Sequence, residues 1–141
     1  MRKIKRTLAI LIFSSLSILI ITILSCQNSS EKKSDISSAV DKQTLLGNWL
    51  RTDSDYRLQI SKVNEDGSIE ANYFNPNPIN VGKGNWEESY GNLKIVIELR
   101  DVNYPGSTYT LNYLLDRDIL AGEYYQAVEG LTFYVEFARN K

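Results

Sequence analysis

Few of the reactive side chains in this chain stand where they could react. There is no histidine, so Ser54 and Ser107 lack the imidazole base that activates a serine, and no imidazole is at hand for zinc or iron. The one cysteine, Cys26, can form neither an internal disulfide nor a thiolate cage. Glu87 and Glu88 are neighbours on a predicted strand and point to opposite faces, which makes them a poor acid–base pair. Asp53-Ser54-Asp55 is too short for a calcium loop and lacks the downstream glutamate. The expectation is a protein without catalysis, cofactor or metal.

What remains suits non-covalent binding. Residues 75–80 read Asn-Pro-Asn-Pro-Ile-Asn and residues 101–107 read Asp-Val-Asn-Tyr-Pro-Gly-Ser, and all three prolines lie in these two stretches. Proline fixes φ, and the amides between offer both donors and acceptors. Asn75, Asn77, Asp101, Asn103 and Tyr104 are the candidate ligand contacts from these loops. Tyr73, Trp86, Tyr109 and Tyr124 are the candidates from strand positions. A blander reading accounts for the same residues: the loops build turns with Asp101 or Asn75 capping backbone amides, and the tyrosines fill a core. A buried tyrosine needs a partner for its hydroxyl, whether ligand, water or a side chain such as Asn85 or Asn112. Small residues on strands (Ala71, Gly82, Gly84, Ala121 and Gly122) favour the ligand reading, because they leave room.

The elements that must position these residues are strands. From Leu45 onward the hydrophobic pattern alternates, with turn signals between runs and no sustained helical period. Eight segments follow, at 47–51, 56–63, 68–74, 81–88, 93–100, 108–115, 119–126 and 131–139. In the fifth, Leu93, Ile95, Ile97 and Leu99 face inward while Lys94, Glu98 and Arg100 face out; in the last, Leu131, Phe133, Val135 and Phe137 share the inner face. Glu65-Asp66-Gly67 and Tyr90-Gly91-Asn92 supply the positive φ that hairpin turns need. Short connections make antiparallel neighbours. The fold class expected is all-β, an eight-stranded antiparallel up-and-down meander that closes into a barrel by pairing its last strand with its first. An open sandwich is the alternative. In a meander the loops at 75–80 and 101–107 share one end with the first and last hairpin loops. The generic joints at 64–67, 89–92 and 116–118 occupy the other end.

Gly47-Asn48-Trp49 at the start of the first strand and Arg139 at the end of the last give the chain a resemblance to the calycins, the lipocalins and avidins. The resemblance spans residues 47–139. It implies barrel closure, with the Trp49 indole plugging one end and the Arg139 guanidinium stacked on it. It also implies a mouth at the other end that admits small ligands. Avidin-like biotin binding is disfavoured, since avidins wall their pocket with several tryptophans and only Trp49 and Trp86 exist here.

The N-terminal residues belong to a different physical class. Arg2, Lys3, Lys5 and Arg6 precede an uncharged, Leu- and Ile-rich run over residues 7–24, then Ser25 and Cys26. Residues 1–25 read as a secretory signal peptide, and Ile23-Leu24-Ser25-Cys26 resembles the lipobox of bacterial lipoproteins. That resemblance implies that Cys26 becomes the new N-terminus and is acylated by palmitate-like chains, which anchor it to membrane lipid. An uncut anchor is the alternative. Residues 26–43 read as the lipidated cysteine and a Ser-rich tether that buries too little surface to order itself. Residues 44–141 are the barrel domain. Gln27 follows Cys26 where some envelopes read an Asp as a retention signal, so the outer membrane or cell surface is the expected address. Cleavage leaves 12 basic against 17 acidic residues, a formal charge of −5, which argues against nucleic acid as a partner. The expected function is an envelope lipoprotein whose barrel binds a small, partly apolar ligand without chemistry. The alternative is a filled barrel that docks another envelope protein.

Overall fold

The structure is a computed structural model and describes residues 40–141; the signal peptide, Cys26 and most of the tether lie outside the described residues. Nine antiparallel strands form one sheet: β1 Gly47–Arg51, β2 Arg57–Val63, β3 Ile69–Asn75, β4 Asn77–Ile79, β5 Val81–Ser89, β6 Asn92–Asp101, β7 Tyr104–Leu114, β8 Ile119–Gln126 and β9 Leu131–Arg139. Among the described residues no helix is long and apolar enough to cross a membrane. The order across the sheet is β4-β3-β2-β1-β9-β8-β7-β6-β5. The first and last long strands are therefore neighbours, with Trp49 opposite Arg139 and Arg51 opposite Phe137, and the meander curls into a nearly closed barrel. Inward alternation follows the sequence pattern, and Leu58, Ile60, Leu93, Ile95, Ile97, Leu99, Leu111 and Phe137 are all buried.

Three features differ from the expectation. The strand count is nine, because residues 77–79 form β4, which pairs Asn77 with Asn75 and Pro78 with Phe74. Proline is tolerated there because β4 is an edge, where a missing N–H breaks no ladder bond. The stretch 101–107 is a tight hairpin rather than a long loop: Asp101 pairs with Tyr104 across Val102-Asn103, and Gly106, at φ +89°, is the extra residue of a bulge between Leu99 and Arg100. Leu131 and Phe133 are 48% and 42% exposed. The β8–β9 hairpin outruns β1, which ends at Arg51, so the inner face of its far half has no wall opposite.

Because β1 pairs with β9, the free edges fall between β4 and β5. A Ser68–Asn85 bridge and the bond from Trp86 N to Gly67 O (2.8 Å) hold that seam at one end. Gly82, Gly84 and Gly122, expected to leave room, instead let neighbouring groups approach closely. A Cβ on Gly84 would lie 2.7 Å from the Ile69 carbonyl oxygen, one on Gly122 would lie 2.2 Å from that of Thr110, and Gly82 is covered by the Arg100 stem.

The end of the barrel near the β1 entry is plugged. The sequence places the tether up to residue 43, yet Lys42–Leu45 form a 3₁₀ helix capped by Asp41, and Val40 packs against the core. Leu45 is buried beneath this turn, and its carbonyl accepts a bond from Trp49 Nε1 (3.0 Å). The Arg139 guanidinium lies 4.2 Å from the Trp49 ring centroid. It donates Nη1 to Leu46 O (2.9 Å), Nη2 to Thr44 O (2.8 Å), and Nε to Asp118 (2.8 Å). Asp118 also accepts from Tyr113 Oη (3.0 Å). The Arg139 bond, followed by the competing effect of burial and then the Tyr113 bond, holds the Asp118 carboxyl below its ordinary range.

Two predictions follow from this packing. Gly122→Ala destabilises the fold by about 1–3 kcal/mol, the usual cost of overpacking, read from urea unfolding of the full-length chain. Asp118→Asn suits the left-handed backbone at this position (φ 50°) but removes the charge. A carboxyl whose folded pKa is depressed contributes stability above its unfolded pKa and loses it as pH falls through the folded value. The stability gap between wild type and Asp118→Asn should hold from pH 8 to about pH 4 and close below that, measured by unfolding across pH.

Candidate functional site

The opposite end of the barrel is open. A cavity of about 380 Å³ is lined there by Arg51, Tyr56, Tyr73, Asn75, Asn103, Tyr104, Tyr109, Tyr124, Gln126 and Phe133. These residues come from β1, the approach to β2, β3, the β6–β7 hairpin, β8 and β9. That is the end at which strand parity gathers the first hairpin, the two proline-containing stretches and the last hairpin.

Of the nine candidate residues, the structure brings Tyr73, Asn75, Asn103, Tyr104, Tyr109 and Tyr124 to this cavity. It separates the other three. Asn77 is exposed on edge strand β4. Asp101 accepts from Val102 N (2.8 Å) and Asn80 Nδ2 (3.3 Å), as a turn-building residue does, and faces a separate outer recess with Arg100 and Pro105. Trp86 lies at the seam near the plugged end, where its Nε1 donates to Asn64 O (2.7 Å) and Lys42 Nζ sits 5.5 Å from its ring centroid. Its facing was legible from parity, and its height along the barrel was not.

Arg51, Tyr56, Gln126 and Phe133 were not among the site candidates. The signal was present in the alternation. Trp49 faces inward, so Arg51, two residues on, faces the same way, and a charge at an inward position needs a reason. Gln126 follows Tyr124 by the same spacing.

The floor of the cavity is an aromatic cluster. Tyr109 stacks on Tyr124 at 4.5 Å between centroids and meets Phe137 edge-on at 5.4 Å. Tyr73 and Tyr109 share a buried hydroxyl–hydroxyl bond of 2.7 Å. Burial pushes both phenols well above their ordinary range, with the Tyr109 hydroxyl adding to the rise at Tyr73 and the Tyr73 bond and Arg51 opposing it at Tyr109, so both keep their protons at neutral pH. Below this layer the interior is filled by its own side chains. The room for a ligand is the mouth, not the whole barrel.

Arg51 threads this cluster from the rim. Its guanidinium carbon lies 5.4 Å from the Tyr56 centroid and 5.9 Å from that of Tyr124. It donates Nη2 to Asp53 Oδ2 (3.0 Å) and makes a long contact from Nη1 to Tyr109 Oη (3.5 Å). Burial lowers the guanidinium pKa, but the Asp53 bond and its charge outweigh this and leave it raised. The same bond lowers the Asp53 carboxyl. At the rim, Asn75 Nδ2 donates to Tyr104 Oη.

A larger recess of about 530 Å³ lies against β5, β6 and β7 beside the Tyr90 turn. Glu87, Lys94, Asn92 and Asn112 line it, and an ion pair between Glu87 and Lys94 crosses it. It is a solvent-facing groove crossed by a surface ion pair and lacks the aromatic cluster of the mouth, so chemistry rather than size favours the mouth. Among the described residues no group of three or more metal-ligating side chains converges. The chain matches no family model, and neither the curated proteins nor the solved structures compared with it give a match.

The hydroxyl pair is testable on its own. Tyr109→Phe removes the hydroxyl that bonds Tyr73 and meets Arg51, and should cost about 1–2 kcal/mol as buried groups lose their partner. Tyr73→Phe leaves Tyr109 with Arg51 and should cost roughly half as much. Urea unfolding of both variants gives the comparison.

Proposed function

We propose that this chain is an envelope lipoprotein, anchored through acylated Cys26, whose calycin-like barrel binds a small, partly apolar ligand at its open mouth without catalysis. The observation that carries the binding reading is the mouth cavity of about 380 Å³, where six of the candidate residues meet over a buried aromatic floor. Pockets of a few hundred Å³, mainly apolar with a few placed polar groups, are the usual form of small-molecule sites. The opposite end is closed by Trp49 and Arg139, so a ligand has one way in. The lipobox-like residues before Cys26 and the basic, apolar leader support export and anchoring.

A second reading rests on the exposed β8–β9 hairpin, which borders the mouth through Phe133. Leu131 and Phe133 on the inner face of the β8–β9 hairpin and Val128 at its turn are exposed, and Tyr125 and Tyr134 are exposed on its outer face; apolar exposure on both faces of one hairpin suits docking of another envelope protein.

Native mass spectrometry of the full-length protein taken from its own host separates these readings. The expected result is acyl mass mapped to Cys26 and a bound species of a few hundred daltons that is released on unfolding. A protein partner without a small ligand would favour docking, and an unmodified Cys26 would overturn the anchor.

A further inference from the structure

The hydrogen-bond donors of the mouth outnumber the acceptors that meet them. Tyr73 and Tyr109 have one hydroxyl proton each, and one bond joins them. Arg51 donates to the Tyr109 oxygen. One buried hydroxyl proton is therefore left over, and among the described residues nothing accepts it. Tyr104 is similar: its oxygen accepts from Asn75, and its own proton has no acceptor among the described residues. Arg51 Nε is buried and also lacks a bonded partner. It lies 2.7 Å from Asp53 Oδ1, but that oxygen sits off the line of its N–H. The second Nη1 proton of Arg51 is likewise uncommitted. The side-chain carbonyls of Asn75, Asn103 and Gln126 line the same cavity and take none of these protons.

Buried donors without acceptors are costly, so such a cluster either holds water or waits for an oxygen that the protein does not supply. A ligand oxygen carrying negative charge fits best, because a charge-assisted bond to guanidinium and phenol is about twice as strong as a neutral one. The charge count limits the choice. Arg51 is the one cation of the lining, and Asp53, whose side chain is 57% exposed, already balances part of it. A doubly charged phosphate would leave excess negative charge beside buried rings. The faces of Tyr56, Tyr124 and Phe133 around the donors ask for a flat or short apolar body.

Resting on the binding reading above, we propose that the ligand of this mouth is a small monocarboxylate with an apolar body, held by its carboxylate on Arg51 and the Tyr73–Tyr109 hydroxyls. The test compares 3-phenylpropionate with 3-phenylpropan-1-ol, two probes of the same shape that differ in the anionic end. Both are titrated calorimetrically against the full-length protein in nanodiscs, with empty discs as the blank. The carboxylate should bind at least about 10-fold more tightly, and Arg51→Gln should bring the two probes to within about twofold of each other. Asp53→Asn, at the exposed rim, frees the guanidinium from its partner and should tighten the carboxylate several-fold without moving the alcohol. That variant tests the proposal even where Arg51→Gln unfolds. Equal affinities in the wild type would overturn the carboxylate and leave the binding cavity standing. No binding of either probe would overturn both.

Discussion

The pairing of β1 with β9 is the constraint on which the rest of the molecule depends. It brings Trp49 opposite Arg139 and, two residues along, Arg51 opposite Phe137. One short ladder thereby sets the plug at one end of the barrel and the cation at the other. The ladder alone is only a few residues long, and the Arg139 network reinforces it. A guanidinium over indole contributes about 0.5–2 kcal/mol, and here the same group also ties the 3₁₀ turn, the β7–β8 connection and the last strand together. Without that join the sheet would expose four strand edges' worth of polar backbone or seek another partner.

Closing the sheet there moves its free edges to β4 and β5, which are consecutive in the chain. Three features manage that seam. β4 is short and contains Pro78, which suits an edge. Gly84 lets β5 lie against the backbone of β3. Trp86 covers the gap from its own strand while its indole N–H caps the Asn64 carbonyl. The residue that looked like a ligand wall is therefore part of the closure, and the small residues that looked like space are contact points between strands.

Most of the strand framework was legible because alternation and turn chemistry are local. Leu93, Ile95, Ile97 and Leu99 declare their face in one segment, and Tyr90-Gly91-Asn92 declares its turn. Closure was expected because a meander solves its edge problem by closing, and the meeting of Trp49 with Arg139 was expected from the resemblance to the calycins. The errors share one origin. Sequence gives facing but not height: it shows that Trp86 points inward and not that it sits near the plugged end, and it shows that Leu131 and Phe133 lie on the inner face and not that β1 stops short of them. The proline stretches misled for a different reason. Proline was read as a loop former, yet at an edge (Pro78) or beside a bulge (Pro105) it costs a strand nothing. Arg51 went unnoticed because the first strand was read for its Trp49 and not followed by parity to its last residue.

The two arginines of the β1–β9 ladder offer an internal control on what the mouth is for. Both are partly buried and both lie over aromatic rings. Arg139 gives all three of its nitrogens to well-placed acceptors, two backbone carbonyls and a carboxylate that is itself fixed by Tyr113. Such a cation is fully used by the fold. Arg51 has one good bond to a half-exposed carboxylate, one long contact to a phenol, and a buried Nε ion-paired with the same carboxylate at 2.7 Å without an aligned hydrogen bond. A structural role would have called for the first arrangement, since the same fold achieves it two residues further along the ladder. The fold thus leaves guanidinium and tyrosine donors of the mouth uncommitted to any protein acceptor among the described residues. In the proposed complex the ligand oxygen would meet donors that the strands already hold in place, and such preorganisation lowers the cost of binding.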